Sequence, residues 1–180
     1  MLFPKIITIC FVALFGTTLP LFAQNQPKKT SIPEEAQKRL DHMIGKWHIK
    51  TDYLNPNGEV RRTVEGTEEA KYIIDKRVVE LTTTVQNSYS KGWVFYNINE
   101  QKFYLTSVDG NGDLWILSGG LDAYIITSQP KKQPNGREIT IRFTHSNIQE
   151  DSFEAVMESS IDGGQTWWTR YRQYLTRQKE

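Results

Sequence analysis

From Lys46 onward, apolar and polar residues alternate with a period of two. Trp47, Ile49 and Thr51 interleave with His48, Lys50 and Asp52. Runs rich in Val, Ile, Thr, Tyr, Phe and Trp follow at 93–98, 103–108, 114–117, 124–127, 138–144, 153–159 and 166–176. Turn signals cut them at Asn55-Pro56-Asn57-Gly58, 109–112, Gly119-Gly120, 134–136 and 162–164. Short strands with turn punctuation every 8–12 residues or so indicate an antiparallel sandwich or barrel, here of about ten strands. No helix-length segment separates the runs, so a parallel crossover does not fit. Before Gly45 the period is helical: Pro33-Glu34-Glu35 opens a helix, with carboxylates at the positive end of its dipole. Ala36, Leu40, Met43 and Ile44 supply its apolar face, and Gly45 the stop.

Several strands carry bulk on both faces, as where Trp93 and Phe95 alternate with Val94 and Tyr96. A barrel wall accommodates bulk on both faces, and the chain order with its single lid-like helix favours an all-β, antiparallel up-and-down barrel with one N-terminal helix, a fold whose lumen has room for a ligand.

The first residues read as an address. Lys5 is the only charge before the apolar run IITICFVALFG, and Leu21-Phe22-Ala23 places a small residue at a cleavage position. The run is interrupted at Gly16 and Pro20, short of the roughly 20 residues a spanning helix needs. Cys10 lies inside the run, away from the cut, which argues against a lipid anchor. The expected organisation is a signal peptide at 1–23, a polar leader at 24–32 and one barrel domain at 33–180. The protein is then periplasmic or secreted, without a stable membrane anchor. Removing the signal takes Lys5 and the single cysteine with it, leaving basic and acidic residues equal in number and no disulfide. With a formal charge of +1 over the whole chain, there is no electrostatic footprint for nucleic acid.

The chemistry-bearing motifs are sparse. Ser160-Ile161-Asp162-Gly163-Gly164-Gln165-Thr166-Trp167 matches the S-x-D-x-G-x-T-W pattern once, and turn chemistry accounts for every residue in it. Asp109-Gly110-Asn111-Gly112-Asp113 places oxygens like a calcium loop, but Leu114 and Gly120 stand where such a loop needs Gly and Glu. His42 and His48 flank Gly45 without a third ligand, so no metal is expected. Trp93, Tyr96, Tyr104 and Trp115 are candidates for an aromatic ligand platform. Arg142, Glu154 and Glu158 lie on neighbouring strands. An acid/base pair there would make the barrel a hydrolase or isomerase. Docking of another envelope protein on a strand edge is the third reading.

Leu40 followed by Ile44-Gly45-Lys46-Trp47 resembles the helix-then-GxW entry of the calycin superfamily, which includes lipocalins, fatty-acid-binding proteins and nitrobindins. Gly66, Asp75-Lys76-Arg77, Gly92-Trp93-Val94-Phe95-Tyr96 and Asp162-Gly163-Gly164 extend the likeness to a bacterial family of exported lipocalin-like barrels. The resemblance implies a binding barrel. Arg172-Gln173-Tyr174 is similar to the final-strand R-x-Y of fatty-acid-binding proteins. It would make Arg172 and Tyr174, with Arg170 and Arg142 nearby, the holders of a ligand carboxylate. Nitrobindins hold haem through a histidine near the barrel's end. Residues 166–176 contain none, and His145 has no partner near it in sequence, so no cofactor is expected. The expected function is binding of a small apolar or amphipathic molecule, anionic where those residues meet a carboxylate.

Overall fold

The computed structural model describes residues 31–121 and 124–179. One helix, α1 (Glu34–Met43), precedes β1 (Gly45–Leu54), β2 (Val60–Ile74), β3 (Val78–Val85), β4 (Ser88–Asn97), β5 (Lys102–Asp109) and β6 (Leu114–Gly119). Then come β7 (Ile125–Ser128), β8 (Lys131–Lys132), β9 (Glu138–Gln149), β10 (Ser152–Ser160) and β11 (Trp168–Arg177). Every pairing is antiparallel. Sequential neighbours pair from β1 to β7; β9 then pairs with both β7 and β10, and β11 pairs with both β10 and β1. The sheet therefore closes into a ten-strand barrel with no free edge, while β8 is a two-residue flap on β9. The expected all-β barrel with one N-terminal helix is the observed fold.

Closure forces the strands into close approach at glycines. A Cβ on Gly66 would sit 2.2 Å from the Thr84 carbonyl oxygen, so only glycine lets β2 cross β3 there. The helix spans one end of the barrel because it is tied to three points of its rim. Gln37 Nε2 donates to the Tyr72 hydroxyl (2.8 Å), which donates in turn to Asp41 (2.7 Å). Arg39 Nη1 reaches the Leu121 carbonyl (3.0 Å), and His42 Nε2 the Gln149 carbonyl (2.7 Å). Arg177, at the end of the last strand, closes the helix C-terminus by donating to the carbonyls of Ile44 (2.5 Å) and His42 (3.1 Å).

The packed core lies at this helix end. One cluster joins Ala36 and Leu40 to Ala70, Val79, Val94, Tyr96 and Phe103. The other joins Trp47 and Ile49 to Phe153, Ala155 and Leu175.

At the far end, the S-x-D-x-G-x-T-W segment is the β10–β11 hairpin. Asp162 accepts from the backbone N–H groups of Gln165 and Thr166 (both 3.0 Å) and from the hydroxyls of Ser160 (2.6 Å) and Thr166 (2.5 Å). Those donors hold its carboxyl below the usual carboxylate range. The 109–113 segment is likewise a turn, with Asp109 Oδ1 accepting from the N–H of Asn111 (2.9 Å) and Asp113 (3.0 Å). Beside the hairpin, Ser159 is fully buried and its hydroxyl has no partner. A buried unpaired hydroxyl costs about 1–3 kcal/mol, so Ser159→Ala is expected to raise stability by about 1 kcal/mol. Urea unfolding checks this, and a loss of stability would show that the hydroxyl is satisfied.

Candidate functional site

Strand alternation fixes what faces the lumen. Trp47, Ile49 and Thr51 are buried and set the inward phase of β1, and the register then carries that phase around the wall. Below the mouth and above the helix lies a cavity of about 860 Å³. Its apolar wall includes Leu81, Leu105, Leu117, Ile126, Ile141 and Phe143. Small residues at Ser90, Gly92 and Ser107 keep one side of it open.

Polar groups enter this space as well: Arg39 and His42 at the helix end, Asp109 near the mouth, and Glu68, His145 and Gln173 along the wall. Glu68, on β2, accepts from the Thr83 hydroxyl at 2.8 Å. Burial raises its carboxyl above the ordinary range, opposed only by that hydrogen bond. Tyr171, from β11, lies against Tyr53 (ring centroids 5.6 Å) and Phe143 (6.1 Å). Burial, followed by the neighbouring Tyr53 and Glu68, pushes its hydroxyl up. Gln173 Nε2 donates to Thr51 Oγ1 at 3.2 Å across the β1–β11 pair. At the helix end, His145 packs its ring 5.2 Å from that of Phe153. Burial, then the charges of Arg39 and His42, push its imidazole down to about 4. Along its wall the lumen therefore presents, among its polar groups, a raised carboxyl, a phenol and a neutral imidazole.

His145 carries a pH signature. Its depressed value means that the unfolded chain binds more protons than the folded one between about pH 4 and 6.5. The folded barrel is expected to lose on the order of 1–2 kcal/mol from this group on going from pH 7 to pH 5. Urea unfolding at the two pH values, compared with His145→Asn, reads the difference. An equal slope in both proteins would contradict the assignment.

Most of the residues singled out from the sequence lie elsewhere. Arg170 and Arg172 are exposed, and Tyr174 lies on the outer face with Lys50 Nζ 5.6 Å above its ring. The R-x-Y pair therefore does not enter the lumen. The buried Leu175, with Tyr171 and Gln173, sets the inward phase of β11, and 172 and 174 fall on the other. Arg142 and Glu158 are directly paired on neighbouring strands, with Nε 2.5 Å from Oε2 and the guanidinium 4.2 Å above the Trp167 ring. Glu154 shares their outward phase, opposite Tyr174. Neither glutamate lines the cavity, so the lumen acid/base pair expected of them is not formed.

The aromatic platform is divided as well. Tyr96 is core beneath the helix, packed against Phe103 at 5.2 Å. Trp93 follows the outward phase, and Tyr104 stacks on Phe95 at 5.5 Å on the same face and donates to Glu100. Trp115 lines the lumen near the mouth, where Lys131 Nζ lies 4.6 Å from its ring, and Tyr104 also borders the cavity although its ring stacks outside. His145, expected to stand alone at a strand end, instead faces the lumen because β9 runs on to Gln149. His48 lies outside, 3.5 Å from Glu65. Among the described residues no cluster of three or more metal-ligating side chains forms. The residue that sequence reasoning missed is Glu68. Its signal was the shared phase of Val64, Ala70 and Tyr72, half hidden by the charges around them.

The barrel has counterparts among solved structures. The crystal structure of Rv2717c from M. tuberculosis aligns with 83% of this chain and all of its own, at 14% identity and a TM-score of 0.54. The S-type phycobiliprotein lyase CPES from Guillardia theta aligns over 80% of this chain and 93% of its own, at 11% identity and a TM-score of 0.48. A de novo designed fluorescence-activating barrel aligns over 82% and 100%, at 14% identity and 0.42. At such identities the likeness concerns the fold. No protein-family model matches the chain, and no curated protein matches it.

Proposed function

We propose that this protein is a calycin-like binding barrel that takes one small apolar or amphipathic molecule into its lumen. The observation that carries the reading is the cavity of about 860 Å³ itself, in which aliphatic and aromatic side chains form most of the wall and polar groups stand among them. That combination is typical of small-molecule sites, in which apolar walls supply affinity and convergent polar groups set orientation. Glu68 is the chief orienting group. Its raised carboxyl gains an O–H donor when protonated, and the Tyr171 hydroxyl lies on the same wall. A hydroxyl, carbonyl or amide on the ligand would meet both. We further propose that the barrel works outside the cytoplasm after cleavage near Ala23, which N-terminal sequencing of the protein recovered from its natural host tests directly.

Native mass spectrometry and an absorption spectrum of the gently purified protein test the binding role. A non-covalent adduct of a few hundred daltons at one per chain is the expected result. A Soret band would replace this reading with haem held at the His145 end. A protein that carries nothing, and takes up no apolar probe when offered one, would overturn it.

A further inference from the structure

A second cleft, of about 370 Å³, opens at the barrel mouth between the β1–β2 hairpin and the start of β11. Three arginines line it, Arg61, Arg62 and Arg170, together with Tyr53, Trp168 and Tyr171. Two of them are placed by irregularities in the sheet. Along β1–β2 the register runs from Tyr53 opposite Arg62 to Leu54 opposite Val60, which leaves Arg61 as the extra residue of a bulge. Along β10–β11 it runs from Met157 opposite Tyr171 to Glu158 opposite Thr169, which leaves Arg170 as the extra residue of another. A bulge re-aims the side chain that it leaves unpaired, and both bulges deliver a guanidinium to the same cleft. Arg62 lies 4.4 Å above the Tyr53 ring, and Arg170 lies 5.9 Å from that of Trp168. Among the described residues no Asp or Glu lines the cleft, and none of the three arginines forms a salt bridge.

We propose that this cleft is an oxyanion site that holds the charged head of the molecule whose apolar part fills the lumen. The inference rests on the lumen reading and adds the class of head group. Cleft and lumen share Tyr53, Met157 and Tyr171, so a single ligand passes from one to the other along that wall. Guanidinium forks suit the paired oxygens of a carboxylate or phosphate, and three uncompensated cations in a concavity draw anions toward the mouth.

Dodecyl phosphate, dodecanol and inorganic phosphate separate head from tail. Tryptophan fluorescence titrations at low ionic strength are expected to show dodecyl phosphate binding at least 10-fold tighter than dodecanol. That advantage should shrink as salt is added. In the Arg61→Gln/Arg170→Gln double variant, dodecyl phosphate should fall to the level of dodecanol, while dodecanol itself binds as in the wild type. Equal affinity for the two in the wild type, or a preference that survives the double variant, overturns the oxyanion site and leaves the lumen reading standing. Inorganic phosphate binding as tightly as dodecyl phosphate overturns the link between head and tail. Failure of all three to bind overturns both readings.

Discussion

Trp47→Ala is expected to remove about 3–5 kcal/mol of folding free energy, and with it roughly 10 °C of thermal stability. Trp47 is wholly buried, and it joins the closing helix to the barrel wall. Its indole N–H donates to the Met43 carbonyl at 2.8 Å, which satisfies an orphan acceptor of the last helical turn. Its ring meets Phe153 edge-on at 5.0 Å and His42 at 5.8 Å, and Arg177 covers it at 4.2 Å. Truncation opens a cavity and leaves Arg177 without the surface on which it lies, while that side chain still reaches for the helix carbonyls. Urea unfolding monitored by circular dichroism measures the loss. A change under 1 kcal/mol would mean that the helix end is not the stabilising core of the barrel.

Ser107→Trp should do the reverse, abolishing binding with little effect on stability. Ser107 faces the lumen between Gly92 on β4 and Trp115 on β6, so a large side chain there enters empty space. In a packed core such a substitution costs about 1–3 kcal/mol through strain. Here the strain is largely avoided, and the indole takes up volume that a ligand needs. A loss of apolar-ligand affinity of at least 10-fold is expected, with the melting temperature held within a few degrees.

Much of the architecture could be read along the chain, because strand alternation and turn chemistry are local. Trp47, Ile49 and Thr51 carry the phase of β1 openly, and Asn57-Gly58 and Asp162-Gly163-Gly164 mark real turns. The face of β11 was harder. Its two faces carry similar mixtures of aromatic and polar residues, and a family likeness pointed to 172 and 174. What decides the phase is closure against β1, where Leu175 lies opposite the buried Ile49 and Gln173 opposite Thr51. That information is non-local. Glu68 escaped notice for a related reason: β2 reads Val64-Glu65-Gly66-Thr67-Glu68-Glu69-Ala70, a sequence that looks solvated until the register turns every second residue inward. The mouth cleft was further out of reach, since the sequence has no sign of the bulges at Arg61 and Arg170.

If the lumen is the binding site, filling it must abolish uptake of an apolar molecule. Titration of the wild type and Ser107→Trp with Nile red, a neutral apolar probe, tests this most directly. Saturable binding at one probe per chain is expected in the wild type, with its loss in a variant that retains the circular dichroism spectrum of the parent and a melting temperature within a few degrees of it. Equal binding by the two proteins, or no saturable binding by the wild type, would contradict the lumen as the binding site.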